Sequence, residues 1–199
     1  MNKNLTKYFM EYLDYPITLV NCKILELVSE YFDKIPDYFY RIPASSTGKY
    51  HPRFDNGDGG LVRHTQMVCD VMRDLQRLND YKCLGHFDMM IACILHDTFK
   101  NGYTDNGYTV ESHANIAADE FYSTYIKHKY QNEELSEISH GVLYDYTGEL
   151  YKRVNNICNM IRTHGGQWSQ IQPSSDSEKL VHLADYIASR KCWDKFNDK

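Results

Sequence analysis

HFDMMIACILHDTFK, residues 86–100, is the stretch on which the fold turns. From His86 to Asp97 it reads as one strongly apolar helix. Its longest apolar run, Met89–Leu95, is far shorter than the roughly 20 residues a bilayer span needs. The helix ends on His96-Asp97. A carboxylate at the end of such a segment is costly to bury unless it is paired or binds a metal. With Thr98, Phe99 and Lys100 behind it, the pair forms the string H-D-x-x-K.

Helical spacing recurs on both sides of this segment. Upstream, Thr18 opens a helix with Val20, Ile24, Leu27, Val28, Tyr31 and Phe32 at helical spacing, ended by Pro36. The stretch 41–60, RIPASSTGKYHPRFDNGDGG, is a long loop of turn-forming residues. A helix from about Leu61 to Leu78 follows, with Val68, Val71, Met72 and Leu75 on one face. Downstream, NGYTDNG (101–107) is a turn-rich loop, Glu111–His128 is helical, and Glu133–Tyr144 is a weaker helix. Glu149–His164 is a further helix stopped by Gly165-Gly166, and Ser174–Ser177 offer caps to a last one, Glu178 to about Cys192. In that last helix Leu180, Leu183, Ala184 and Ile187 are the expected inward positions, with Asp185 on or beside their face. No hairpin pattern interrupts the series, so the predicted class is all-α: a helical bundle over 41–199 with a small helical extension, 1–40, packed on it.

Composition narrows the function. The chain has 199 residues, 42% hydrophobic and 25% charged, which suits one globular domain. Six scattered cysteines without a C-x-x-C pair fit a reducing compartment better than a disulfide framework. The first fifteen residues lack the apolar core of a signal peptide, so the expected location is the cytoplasm and no membrane partner is expected. A formal net charge of -5 argues against a general nucleic-acid coat. The loop nevertheless carries a local surplus of basic residues in Arg41, Lys49, Arg53 and Arg63, against Asp55 and Asp58.

Four more residues fit around His96-Asp97. His64 follows the Gly-Gly turn in GGLVRHT, His113 lies in ESHANIAAD, His164 in IRTHGGQW, and Asp185 in LVHLADYIASR. In this order they resemble the HD superfamily of metal-dependent phosphohydrolases, whose signature runs H…HD…D with two further histidines in two-metal members. HPRFDNGDGGLVRHT (51–65) is similar to the glycine-turn entry helix of the HD domains in certain bacterial 3′→5′ exoribonucleases and phage-encoded relatives, and IRTHGGQW is similar to the I-x-x-H-x-G-x-W segment of the same group. The resemblance spans 64–185, with the loop upstream as added support.

The resemblance implies roles. His64, His96, Asp97 and Asp185 would bind one divalent ion, and Asp97 would bridge to a second held by His113 and His164. Imidazole with carboxylate suits Mn, Fe, Co, Ni or Zn, and Mg is a further candidate. Two ions about 3.5–4 Å apart can clamp the attacking and leaving oxygens of a phosphate ester and activate water. If His113 and His164 bind only substrate, one ion remains. Asp97 and Lys100 are the candidate catalytic residues; Lys100 either meets a phosphate oxygen or orients a site carboxylate, the alternative being a surface lysine at a helix end. Lys49, His51, Arg53 and Arg63 are candidates for gripping substrate phosphate. His140 competes with His164 for the last histidine position, and the motif around His164 matches better. Many relatives carry an aliphatic residue and a glycine where Thr98 and Phe99 stand, so Phe99 is expected to narrow the pocket.

The implied activity is metal-dependent hydrolysis of a phosphate ester of a nucleotide, or of a short nucleic acid, in a bacterial cell or phage-infected host. The alternative is a catalytically silent nucleotide sensor or a host-interaction protein on the same scaffold. Degenerate relatives usually lose a metal ligand, and none is missing here.

Overall fold

The computed structural model of the protein describes residues 3–16, 18–49, 51–78, 85–133 and 143–197. Among these the regular elements are all helical: α1 (Lys3–Phe9), α2 (Leu19–Phe32), α3 (Gly60–Arg77), α4 (His86–Leu95), α5 (His113–Glu133), α6 (Leu143–Thr163), α7 (Asp176–Ala188) and a terminal turn α8 (Asp194–Asn197). Short 3-10 turns, including Asp37–Tyr40, Arg53–Asp55 and Gly166–Trp168, punctuate the connections.

The apolar stretch becomes the axis of the bundle. Every residue of α4 from Phe87 to Leu95 is buried, Asp88 included. A helix without a polar face must be covered all round, and α3, α6 and α7 do this, while α5 packs against α6 and α2. Asp88 is paid for by Arg153 of α6, whose Nε lies 3.0 and 3.1 Å from its two oxygens. α1 and α2 contribute Leu5, Phe9, Ile24, Leu27, Val28 and Tyr31 to the same core that α3 to α7 build.

Two tyrosines of the N-terminal segment hold the turn after α4. Thr98 Oγ1 donates to Leu95 O at 2.8 Å, so Tyr31 Oη, 2.5 Å from Thr98 Oγ1, is the donor in their contact. Tyr38 Oη donates to Gly102 O and accepts from the Asn101 amide at 3.1 Å. The segment 96–102 is thus pinned from α2 and the turn that follows it, which fixes His96 and Asp97 in space.

Several sequence expectations need correction. α4 stops at Leu95, and His96 to Lys100 form a turn. α5 runs on to Glu133 and α6 begins at Leu143, six residues before the expected start. The predicted weaker helix Glu133–Tyr144 falls largely on residues outside the described set, as does His140. The last helix starts at Asp176, with Ser175 as its cap in a reciprocal pairing with Glu178, and ends at Ala188. Its buried positions are Leu180, Val181, Ala184 and Ala188; Leu183 faces solvent. Phe99 does not narrow a pocket. It is 1% exposed, edge-on against buried Tyr31 and, on its other side, against exposed Tyr103. No helix among the described residues is long and apolar enough to cross a membrane.

Candidate metal centre

The six residues singled out from the sequence converge, although they are spread over 122 positions of chain. His96 and Asp97 open the turn directly after α4, α3 contributes His64 from its second turn, α5 begins with His113, α6 ends just before His164, and α7 carries Asp185. His64, His96, Asp97 and His164 are all buried.

The histidines are oriented by their backbone surroundings. Helix ends leave carbonyls without intrahelical partners, and His96 uses one: its Nδ1 lies 2.7 Å from Cys93 O. His164 Nδ1 lies 2.7 Å from Ile161 O near the end of α6, and His113 Nδ1 lies 2.8 Å from Val110 O just ahead of α5, each carbonyl also accepting the residue's own backbone amide. A nitrogen facing a carbonyl must carry the proton, so each neutral ring presents the lone pair of Nε2 to the interior.

Those Nε2 atoms face carboxylates. His113 and His164 point Nε2 at Asp97 Oδ1, at 3.1 and 3.6 Å, and His96 Nε2 lies 3.5 Å from Asp97 Oδ2. Asp185 Oδ1 receives His64 Nε2 at 3.0 Å and His96 Nε2 at 3.8 Å. His113 and His164 bring their Nε2 atoms within 3.4 Å of each other. Lone pairs and carboxylate oxygens at these separations repel unless a proton or a metal cation lies among them. Buried His96 Nε2 and Asp97 Oδ1 have no hydrogen-bond partner, as expected of atoms reserved for coordination. His64, His96 and Asp185 form one ligand group, and His96, Asp97 and His164 another; either could hold a metal ion. The donor set, imidazole nitrogen with carboxylate oxygen, suits borderline divalent metals.

The electrostatics agree with the geometry. Burial drives the His96 ring to stay neutral, its pKa lowered to about 4. Burial also opposes charge on His64, but the Asp185 and Asp55 carboxylates beside it prevail and raise it to about 9. His164 is likewise raised, by Asp97, against the cost of its burial. Burial would raise the Asp97 carboxyl, yet Lys100 and the histidines around it hold it well below the usual range. Asp185 is lowered against the same burial cost by His64 and the neighbouring imidazoles.

Lys100 is 9% exposed, with Nζ 2.5 Å from Asp97 Oδ2. It orients the site carboxylate and is not a surface lysine. A cavity of about 200 Å³ lies against it, between Ile42, Pro43 and Ala44 on one side and Asn101 and Asp105 on the other. The four residues expected to grip phosphate divide. His51 lies at the centre, its ring edge-on to His64 with centroids 4.6 Å apart. Lys49 and Arg53 are exposed on the loop, and the Arg53 amide donates to Asp194. Arg63 is a staple of the loop: its guanidinium donates to the carbonyls of Phe54, Asn56 and Asp58.

Two residues of the centre escaped the sequence reading. Asp55, in the glycine-rich loop, is completely buried, with Oδ2 3.6 Å from His64 Nδ1 and 3.7 Å from His51 Nδ1. It forms a third possible ligand group with those two histidines. Aspartate is so common in turns that its position there carries no signal. His182, on α7, donates from Nδ1 to His164 O at 2.7 Å and so braces the backbone of a candidate ligand. Gly166, at φ +56, leaves room for that ring, because a Cβ there would lie 2.2 Å from it. In comparisons with protein-family models, curated proteins and solved structures, nothing matches this chain.

Proposed function

We propose that the protein is a metal-dependent phosphohydrolase that cleaves a phosphate ester of a nucleotide, with a short nucleic acid as the larger form of the same substrate. The observation that carries this reading is the convergence of His64, His96, Asp97, His113, His164 and Asp185 on one buried centre, their Nε2 atoms directed at two carboxylates. The order of those residues along the chain, which resembles the HD superfamily, supplies the reaction class.

His64, His96, Asp97 and Asp185 would hold one divalent ion in this reading. Asp97, with His113 and His164, would hold another. Ions of the Mn, Fe, Co, Ni, Zn or Mg type would supply Lewis-acid polarisation of the phosphate and water that ionises near neutral pH. The chain's own residues do the rest. Lys100 fixes the rotamer of Asp97 through its ion pair. Carbonyl-anchored His96, His113 and His164 keep their lone pairs on the reacting side. The cavity against Lys100 accepts part of a nucleotide beyond the phosphate. His51, against His64, is the phosphate contact nearest the centre, and Lys49 and Arg53 on the exposed side of the same loop are the further candidates.

The test is turnover. Protein purified without chelator and supplied with Mn²⁺ is offered nucleoside mono- and triphosphates, cyclic dinucleotides and short RNA, with Asp97→Ala as the control. Phosphate or nucleotide release by the wild type alone supports the reading. Turnover retained in Asp97→Ala overturns the assignment of the centre.

A further inference from the structure

His64 has a different problem from the other three histidines. His96, His113 and His164 stand at helix ends or at the entry to a helix, where the carbonyl three residues back lies within reach of Nδ1 and takes its proton. His64 lies inside α3, where the helix ladder uses the carbonyls. Leu61 O, three residues back, also accepts from Thr65 Oγ1 at 2.9 Å. Nothing in the local backbone can set its tautomer.

Asp55 stands where that carbonyl is missing. It is 0% exposed, neither oxygen has a hydrogen-bond partner, and Oδ2 is 3.6 Å from His64 Nδ1, which is itself unpartnered. A buried carboxylate without partners is expensive, so its placement calls for a compensating role. The surrounding loop is built to hold it. The Ala44 amide donates to Asp55 O at 3.0 Å, Arg63 ties down Phe54 O at 2.6 Å, and α3 opens on Gly60, where a Cβ would lie 1.9 Å from Asp55 O. The separation of 3.6 Å lies within ion-pair range and beyond a hydrogen bond.

We infer that Asp55 is the positioning residue for His64: its carboxylate receives the Nδ1 proton and so keeps Nε2 as the metal-binding lone pair. This rests on the metal-centre reading above. It also resolves the His51–Asp55–His64 group. A neutral imidazole offers one lone pair, so a His64 that coordinates through Nε2 presents a proton, not a ligand atom, to Asp55. The group is therefore an orienting shell and not a third ion site. Carboxylate-to-histidine contacts of this kind orient ligands and raise their basicity.

The experiment compares wild type with Asp55→Asn by metal titration, thermal melting of the metal-free protein, and ¹⁵N chemical shifts of His64 in the zinc-loaded protein. The expected result is metal affinity weakened by roughly 10–100-fold at unchanged stoichiometry, with the metal-free melting temperature maintained or raised. In the wild type, His64 is expected to show a protonated Nδ1 and a metal-bound Nε2; this shift needs no variant and stands if Asp55→Asn fails to fold. Unchanged affinity, or coordination through Nδ1, overturns the inference and leaves the metal-centre reading intact. Loss of one whole equivalent of metal also overturns it, by making Asp55 a ligand. A wild type that binds no metal overturns both.

Discussion

Asp97 is the residue on which the centre depends. Its oxygens face three imidazoles and one ammonium. Asp97→Ala is expected to lose metal and turnover together while circular dichroism stays helical, read by elemental analysis on the purified variant. His164→Ala should lose more activity than His140→Ala, and the reverse ranking would reassign the last ligand. Protons and metal compete here. In the metal-free protein His64 titrates near 9, above its ordinary 6.5, so its pairing with Asp185 stabilises the fold fully below about 6.5 and is lost as the pH rises through 9. Coordination requires the neutral ring, so affinity rises over the same interval. Calorimetry at pH 7.5 in buffers of different ionisation enthalpy should report net proton release on metal binding, and the stabilisation by metal should grow from pH 6.5 to 9. At this scale the sequence was legible where chemistry is rare. A histidine followed by a carboxylate after nine buried residues has few uses. Asp55 was not legible, because its burial is decided by a loop whose path no periodicity encodes.

Helices α3, α4, α6 and α7 were readable from apolar spacing, and their ends were less so. α6 starts early because Leu143–Gly148 continue its helix despite a glycine, and Leu183 turns outward because α7 buries Leu180, Val181, Ala184 and Ala188 instead. Two substitutions test the elements that carry ligands. Gly60→Ala places a methyl group against the Asp55 carbonyl and the Pro43 Cα, backbone that cannot yield cheaply. It is expected to cost about 1–3 kcal/mol, lower the melting temperature by several degrees, and weaken metal binding by displacing Asp55. Ser175→Ala removes the cap of α7, whose side chain accepts from the Glu178 amide. The expected cost is about 1 kcal/mol, measured by denaturant titration, with metal stoichiometry unchanged because Asp185 lies far down the helix.

At the scale of the whole molecule, the arrangement of helices does one thing that no single element can. Five of them, α3 to α7, bring candidate ligand atoms together at or near their ends around the buried axis of α4, while α2 and the turn at Asp37–Tyr40 lock the connection after it through Tyr31 and Tyr38. Since the ligands come from distant parts of the chain, metal should stabilise the bundle as a unit by mass action. The measurement that tests this account most directly is the metal content of the wild-type protein purified without chelator and reconstituted with Mn²⁺, Fe²⁺ or Zn²⁺, counted per chain by elemental analysis. Close to two ions per chain are expected. No bound metal after reconstitution would contradict it.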